Sequence, residues 1–179
     1  MTQYVQSQKR LRKSCNIPVP KGETGSTSLE AKQIAEKLGR PVAIKAQVTA
    51  TGRFKAGGVA FANTPDEAEK VAERILSSSI KGFVVEEVLV EEKLDVEREF
   101  YAGVIIDDSY KVKAPVLIFS TRGGTDIEQV ASEHPEDVGK ITVDVLDTLS
   151  VEEVEDRVRQ LDVSSHLANQ FGKVAYGIF

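Results

Sequence analysis

The 179-residue chain is poor in several residue types: it has one cysteine, two histidines, no tryptophan, and aromatics at only 6%. With Cys15 alone no disulfide can close within the chain, so the fold must rest on its apolar core, and the expected compartment is reducing. His134 and His166 lie far from Cys15 in sequence, so a Cys–His nucleophile pair is not indicated, and Cys15 reads as a half-buried thiol at a helix end. The scarcity of aromatics removes the stacking platform that paired-carboxylate chemistry on a sugar would need. No apolar run approaches the roughly 20 residues of a membrane-spanning helix. No apolar segment follows N-terminal charges as in a signal peptide, so no membrane partner is expected and the expected location is the cytoplasm. Basic excess is also missing. Lys and Arg number 23 against 28 Asp and Glu, a net charge of −5, unlike the basic face of a nucleic-acid-binding domain. The one basic cluster, Lys9-Arg-Leu-Arg-Lys13, reads as the solvated face of an N-terminal helix.

The hydrophobic fraction of 41% and charged fraction of 28% suit one globular domain or two small lobes. A helix is expected up to Ser14, then an extended connector over Asn16-Ile-Pro-Val-Pro20. Thr27 and Glu30 form a capping box for a helix that ends at Gly39. Pro41 opens a strand over 42–48, and a short strand returns over 59–62. Thr64, Pro65 and Glu67 start a second helix, with Ala68, Val71, Ala72, Ile75 and Leu76 on its inner face. Strands follow over 83–91, 99–106 and 114–119, with a turn at Asp107-Asp108-Ser109. A loop over 120–126 leads into a helical turn over 127–131, then a strand over 141–145. Ser150 with Glu153, and Ser164 or Ser165, start the last two helices. The order is α+β with two lobes, not a regular βαβ series. The smaller lobe is expected at about 21–90, and the second lobe from 1–20 together with 91–179. The apolar end, Gly172-Lys-Val-Ala-Tyr-Gly-Ile-Phe179, suggests a chain that continues or a helix that packs on something else.

The densest information lies in Val42-Ala-Ile-Lys-Ala-Gln-Val48, running on into Thr51-Gly-Arg-Phe-Lys-Ala-Gly-Gly58. Strand alternation points Val42 and Ile44 one way and Ala43, Lys45 and Gln47 the other. A cation on the open face of a strand, beside a loop whose amides can approach an anion, suits phosphate binding. The plain structural alternative is an edge-strand lysine facing solvent. The pattern is not a Walker A loop, because no Gly-Lys-Ser/Thr opens a helix. Arg53 and Lys55 flank Phe54 in the loop, whose glycines could also serve turn geometry alone.

Other candidates are weaker. Glu86, Glu87, Glu91, Glu92, Glu97 and Glu99 read mostly as a solvated sheet edge, although a carboxylate at Glu99 could accept hydrogen bonds from ribose hydroxyls. Gly123-Gly124 ahead of a helix reads equally as an anion site or a tight turn. The two histidines read as incidental, with no metal-ligand spacing around them.

Four motifs at matching spacings resemble the nucleotide-binding β subunits of succinyl-CoA synthetase, malate–CoA ligase and the corresponding part of ATP-citrate lyase. They are Asn16-Ile-Pro-Val-Pro-Lys-Gly22; Val42 through Val59; Leu89-Val-Glu-Glu92 with Arg98-Glu-Phe-Tyr-Ala-Gly103; and Ser120-Thr-Arg-Gly-Gly-Thr-Asp-Ile-Glu-Gln-Val-Ala131. The resemblance covers essentially the whole chain. It implies an ATP-grasp fold in which nucleotide is held between two lobes. By position, Lys45 would contact the phosphates, and Gly52, Arg53 and Phe54 would form the loop over them. Glu91 and Leu94 stand where adenine is held, largely by backbone groups, and Glu99 would hold the ribose. Pro20 stands where ATP-preferring relatives carry proline.

The resemblance further implies an ADP-forming ligase of a carboxylic acid and CoA, working with an α-type subunit that carries the phosphorylated histidine. It places no catalytic residue in this chain, and it puts the Asn and Asp that bind Mg2+ beyond residue 179, with the CoA-ligase domain. A longer or split subunit is therefore expected. Two departures stand out: Phe54 where the family has glycine, and Arg122 where it has glutamate. They suggest a divergent member with a different acid substrate, or alternatively a non-catalytic nucleotide-binding or assembly module that docks on an α-type subunit.

Overall fold

The computed structural model describes residues 17–50, 52–107, 114–123, 127–143 and 149–179. The helix expected up to Ser14, Cys15, Asn16, Thr51, the turn at Asp108-Ser109, Gly124 and residues 144–148 lie outside the described residues. The chain packs as two units that part after Asp95.

The first unit contains β1 (Gly22–Gly25), α1 (Ser28–Leu38), β2 (Val42–Ala46), β3 (Val59–Ala62), α2 (Pro65–Leu76), β4 (Ser79–Ile80), β5 (Phe83–Val84) and β6 (Val88–Glu92). The capping box at α1 is complete: the Thr27 side chain accepts from the Glu30 N–H, and the Glu30 carboxylate reaches the Thr27 N–H. Gly39 closes the helix in the left-handed region, donating to the Ala35 carbonyl. The second box is only half formed. Thr64 accepts from the Glu67 N–H, but the Glu67 carboxylate reaches back to the Asn63 N–H at 2.7 Å.

The main sheet runs β1-β6-β2-β3, antiparallel throughout. Its inner face carries Val42, Ile44, Ala46, Ala62, Val88 and Val90, which pack with Ala31, Ile34 and Ala35 of α1 and with Ala68, Ala72 and Ile75 of α2. Alternation therefore places Lys45 and Gln47 on the opposite face, as their spacing predicts.

The structure removes the edge-strand alternative for Lys45, corrects one expected strand and adds another. β2 is not an edge strand: it lies between β6 and β3. The strand expected over 83–91 is broken in two. Lys81 (φ 52°) and Gly82 (φ 84°) make a tight turn that folds Phe83–Val84 back on Ser79–Ile80, and the chain becomes extended again only at Val88. Positive φ at both central positions is the geometry of a two-residue hairpin. β1 was unforeseen, because two glycines in four residues depress strand propensity. It forms through pairing with the distant β6, with Gly22 opposite Glu91.

The second unit holds β7 (Tyr101–Asp107), β8 (Ala114–Ser120), α3 (Ile127–Glu133), a 3-10 turn (Pro135–Asp137), β9 (Val138–Thr142), α4 (Val151–Arg159) and α5 (Ser165–Ile178). The sheet order is β7-β8-β9, antiparallel. Leu117 and Phe119 of β8 and Ile141 of β9 form a core with Val154 and Val158 of α4 and Ala168 and Ala175 of α5. β9 starts three residues earlier than expected, because Val138 pairs with Ser120. Among the described strands, β7 pairs with β8 alone, and its Val104, Ile105 and Ile106 are exposed. No helix among the described residues is long and apolar enough to cross a membrane.

Candidate functional site

Lys45 projects from the middle of the four-stranded sheet, on the face away from α1 and α2. Its Nζ lies 2.5 Å from Oε1 of Glu91, with side-chain exposures of 37% and 5%. In the ladder Lys45 faces Leu89, while Glu91 faces Ala43 two pairs further on, the next position on the same face. The ion pair is therefore a diagonal contact across neighbouring strands. A carboxylate this buried needs a compensating charge, and the lysine supplies one while keeping part of its ammonium accessible.

Gln47 lies two residues on, on the same face, and is 6% exposed. Its Nε2 donates to the Lys45 carbonyl at 3.0 Å, and its N–H donates to the Glu87 carbonyl. Its Oε1 is buried with no hydrogen-bond partner among the described residues. A buried acceptor left over beside a cation fits a site that receives a polar ligand carrying donors. Sequence reasoning put Gln47 on this face without giving it a role.

The glycine loop closes on itself. Gly52 (φ 67°) and Gly57 (φ 77°) take conformations that disfavour side chains, and the Gly58 N–H donates to the Arg53 carbonyl at 2.8 Å. The Ala46 N–H donates to the Gly58 carbonyl at 2.7 Å, tying the loop to the end of β2. Arg53 folds back, its Nη1 donating to the Ala46 carbonyl at 3.0 Å, which occupies one of its five donors. Phe54 is 66% exposed at the loop's tip. The β4–β5 hairpin lies alongside: a Cβ built on Gly58 would meet Ile80 at 3.3 Å, and one on Gly52 would stand 3.6 Å from the Lys81 Nζ. Lys81 is thus a second cation at this loop that the sequence did not reveal, because only the unforeseen hairpin brings it there.

The other predicted residues are placed as follows. Glu91 sits inside the ladder, its backbone in register with Gly22 on one side and Ala43 on the other, so its backbone serves the sheet and its carboxylate serves Lys45. The Glu92 and Lys93 N–H groups donate to the Lys21 and Pro41 carbonyls. Leu94 is exposed beyond them. The Glu92 carboxylate accepts from the Lys21 N–H at 3.0 Å and from Arg40 at 2.9 Å. These contacts, the Lys21 N–H foremost and Arg40 next, outweigh desolvation and hold it below the usual carboxylate range.

Glu99 belongs to the second unit, exposed just ahead of β7. Its carbonyl accepts from the Gly123 N–H at 2.9 Å, and a Cβ on Gly123 would come within 2.7 Å of the Glu99 Cβ. The second glycine motif therefore packs on Glu99. His134, Glu136 and Asp137 bring ligand atoms within 4.8 Å of one another, a grouping the sequence did not single out. His134 Nδ1 lies 3.2 Å from Glu136, and Asp137 pairs with Arg122 at 2.5 Å, so these groups have partners within the protein. A shallow depression of about 410 Å3 in the second unit, lined by Glu136, Lys140 and Arg157 among others, contains none of the predicted site residues.

Residues 3–179 match the model of the ATP-grasp domain. The chain is 42% identical over 163 residues to the β subunit of the GDP-forming succinate–CoA ligase of Thermus thermophilus, covering 91% of this chain and 42% of that protein. It is 41% identical over 164 residues to the ADP-forming counterpart of Herpetosiphon aurantiacus, covering 91% and 43%. Against that of Methanothermobacter thermautotrophicus it is 36% identical over 176 residues, covering 98% and 47%. The chain thus spans a little under half the length of these relatives. Among solved structures, the dinucleotide forming acetyl-coenzyme A synthetase 1 of Ca. Korarchaeum cryptofilum, in complex with coenzyme A, Ca-AMPCP and HgCl+, superposes with a TM-score of 0.72 at 20% identity, over 94% of this chain and 76% of that one. ATP citrate lyase of Methanothrix soehngenii, with citrate and coenzyme A, gives 0.56 at 18% identity, over 77% and 31%. At these identities the two structures speak to the fold alone. The chain belongs to the ATP-grasp domain family, which it shares with the succinate–CoA ligase β subunits it resembles.

Proposed function

We propose that this chain is the ATP-binding portion of an ADP-forming carboxylic acid–CoA ligase. It would hold ATP for phosphoryl transfer to a histidine on an α-type partner, after which the acid and CoA react elsewhere in the assembly. The observation that carries this reading is Lys45: an ammonium held by a buried carboxylate, on the open face of a sheet, beside a closed glycine loop. In phosphoryl transfer the protein's work is positioning and charge neutralisation. Lys45 would neutralise phosphate oxygens, with Gly52, Arg53 and Phe54 covering them. Leu94 and the exposed chain around it would meet the base, and Glu99 would accept from the ribose hydroxyls. Mg2+, when bound, would share the phosphate charge. The resemblance puts its ligands outside this chain, and the paired His134–Glu136–Asp137 group is given no such role.

The test is calorimetric titration of the chain with ATP and with GTP, each with and without magnesium, repeated on Lys45→Ala. Saturable ATP binding that weakens at least about tenfold in the folded variant is expected, the scale of one lost charged hydrogen bond. Unchanged affinity in Lys45→Ala would remove the assigned role. The alternative, a non-catalytic assembly module, draws on Phe54, whose side chain stands where close backbone approach to phosphate is wanted.

A further inference from the structure

Arg122, the residue that departs from the family glutamate, sits at a junction within the second unit. Its Nε lies 2.5 Å from Asp137 Oδ2. Asp137 is bound to the same loop twice more: its carbonyl accepts from the Thr121 N–H at 3.2 Å, and its Oδ1 lies 3.4 Å from the Thr121 hydroxyl. The Arg122 N–H donates to the Oγ of the fully buried Ser120 at 3.1 Å. The next residue, Gly123, touches Glu99: its N–H donates to the Glu99 carbonyl, and any Cβ there would lie 2.7 to 2.9 Å from the Glu99 Cβ, the Glu99 carbonyl carbon and the Phe100 nitrogen. The 3-10 turn that carries Asp137 is thereby linked through residues 121–123 to the backbone of Glu99.

We infer that Arg122 is a positioning residue for Glu99: by clamping the loop to Asp137 it fixes Gly123, and Gly123 fixes where the Glu99 carboxylate starts. This rests on the proposed ribose role of Glu99. An exposed ion pair adds little to stability by itself. Its effect here is geometric, because a shift of the loop passes directly to the Glu99 backbone through a contact that has no slack. The arginine takes up an aspartate that a glutamate at position 122 would repel.

The readout is the ratio of affinities for ATP and for its 2′-deoxy and 3′-deoxy analogues, measured by calorimetry on the chain. A change in overall stability would not move this ratio. The unaltered chain is expected to favour ATP by about tenfold over at least one analogue, the scale of a hydrogen bond to a charged group. Glu99→Gln and Arg122→Ala should each reduce that preference to about twofold or less, and the exchange Arg122→Asp with Asp137→Arg should restore part of it. If Glu99→Gln abolishes the preference and Arg122→Ala keeps it, the clamp is wrong and the ribose role stands. If Glu99→Gln keeps the preference, or the chain shows none, the ribose role falls and the clamp falls with it. Should Arg122→Ala fail to fold, Asp137→Asn breaks the same pair and is judged by the same ratio.

Discussion

Lys45 Nζ lies 2.5 Å from Glu91 Oε1, on adjacent strands and two residues out of register. The lysine proposed to meet phosphate is therefore also the counter-ion of a buried carboxylate. Lys45→Ala is predicted to lose about 1.5–3 kcal/mol of stability, the range for a hydrogen bond to a charged group, in addition to its loss of ATP affinity. Glu91→Gln keeps the ammonium and should retain nucleotide binding within a few-fold. Urea melts and titrations on both variants check this. An Ala variant as stable as the parent would show that the pair contributes nothing to folding.

Phe54 stands exposed at the tip of the glycine loop. Because its ring is mostly exposed, Phe54→Gly should change stability by no more than about 0.5 kcal/mol. By opening the loop backbone to phosphate it should tighten ATP binding several-fold. Equal affinities in parent and variant would mean that the ring does not limit approach, and would weaken the non-catalytic reading as well.

Gly22 admits no side chain. A Cβ there would lie 2.5 Å from the Val90 carbonyl oxygen and 2.6 Å from the Glu91 Cβ. The colliding atoms are backbone or close to it, so relief requires β1 to move. Gly22→Ala should cost about 1–3 kcal/mol, as other overpacked sites do, and amide exchange should quicken across β1. Normal protection of the Gly22–Gly25 amides in this variant would overturn the assigned pairing.

Glu92 makes a pH prediction. The Lys21 N–H and then Arg40 hold its folded-state pKa below the ordinary 4.5. A carboxyl that is harder to protonate when folded stabilises the fold fully above its ordinary value, and this contribution is lost as pH falls through the lowered one. Asp66, held low first by its hydrogen bond to Lys32, adds to the same limb. Stability followed by urea midpoint from neutral pH down into the acid range should therefore fall more steeply for the parent than for Glu92→Gln. Parallel curves would count against the assignment.

The parts of this structure legible in the sequence are those set by neighbours along the chain. Thr27 with Glu30, Gly39, Pro65, Ser150 and Ser164 mark helix ends because capping is local chemistry. Alternation placed Lys45 and Gln47 on the face opposite Val42 and Ile44 for the same reason. What stayed hidden depends on distant pairing. Gly22–Gly25 is a strand only because β6 lies beside it, and β2 is central only because β6 and β3 flank it. The partnership of Lys45 with Glu91 needs the register of two strands more than forty residues apart. The turn at Lys81-Gly82 lies just ahead of the strand expected over 83–91, and the break inside that strand, between Val84 and Val88, was masked by the valines on either side of it. The Arg122–Asp137 contact could not be read at all, since nothing in either residue's surroundings along the chain names the other.

The row of Val104, Ile105 and Ile106 on β7 has a practical consequence for anyone handling the molecule. Among the described residues β7 has no partner on its outer edge, and a strand edge of that kind with exposed apolar side chains is a template for a second copy. Colloidal behaviour should therefore worsen with protein concentration, through edge-to-edge β-pairing that ionic strength does little to suppress. Light scattering against concentration belongs before any titration, and a lysine at Ile106 is the first change to try for a better-behaved sample.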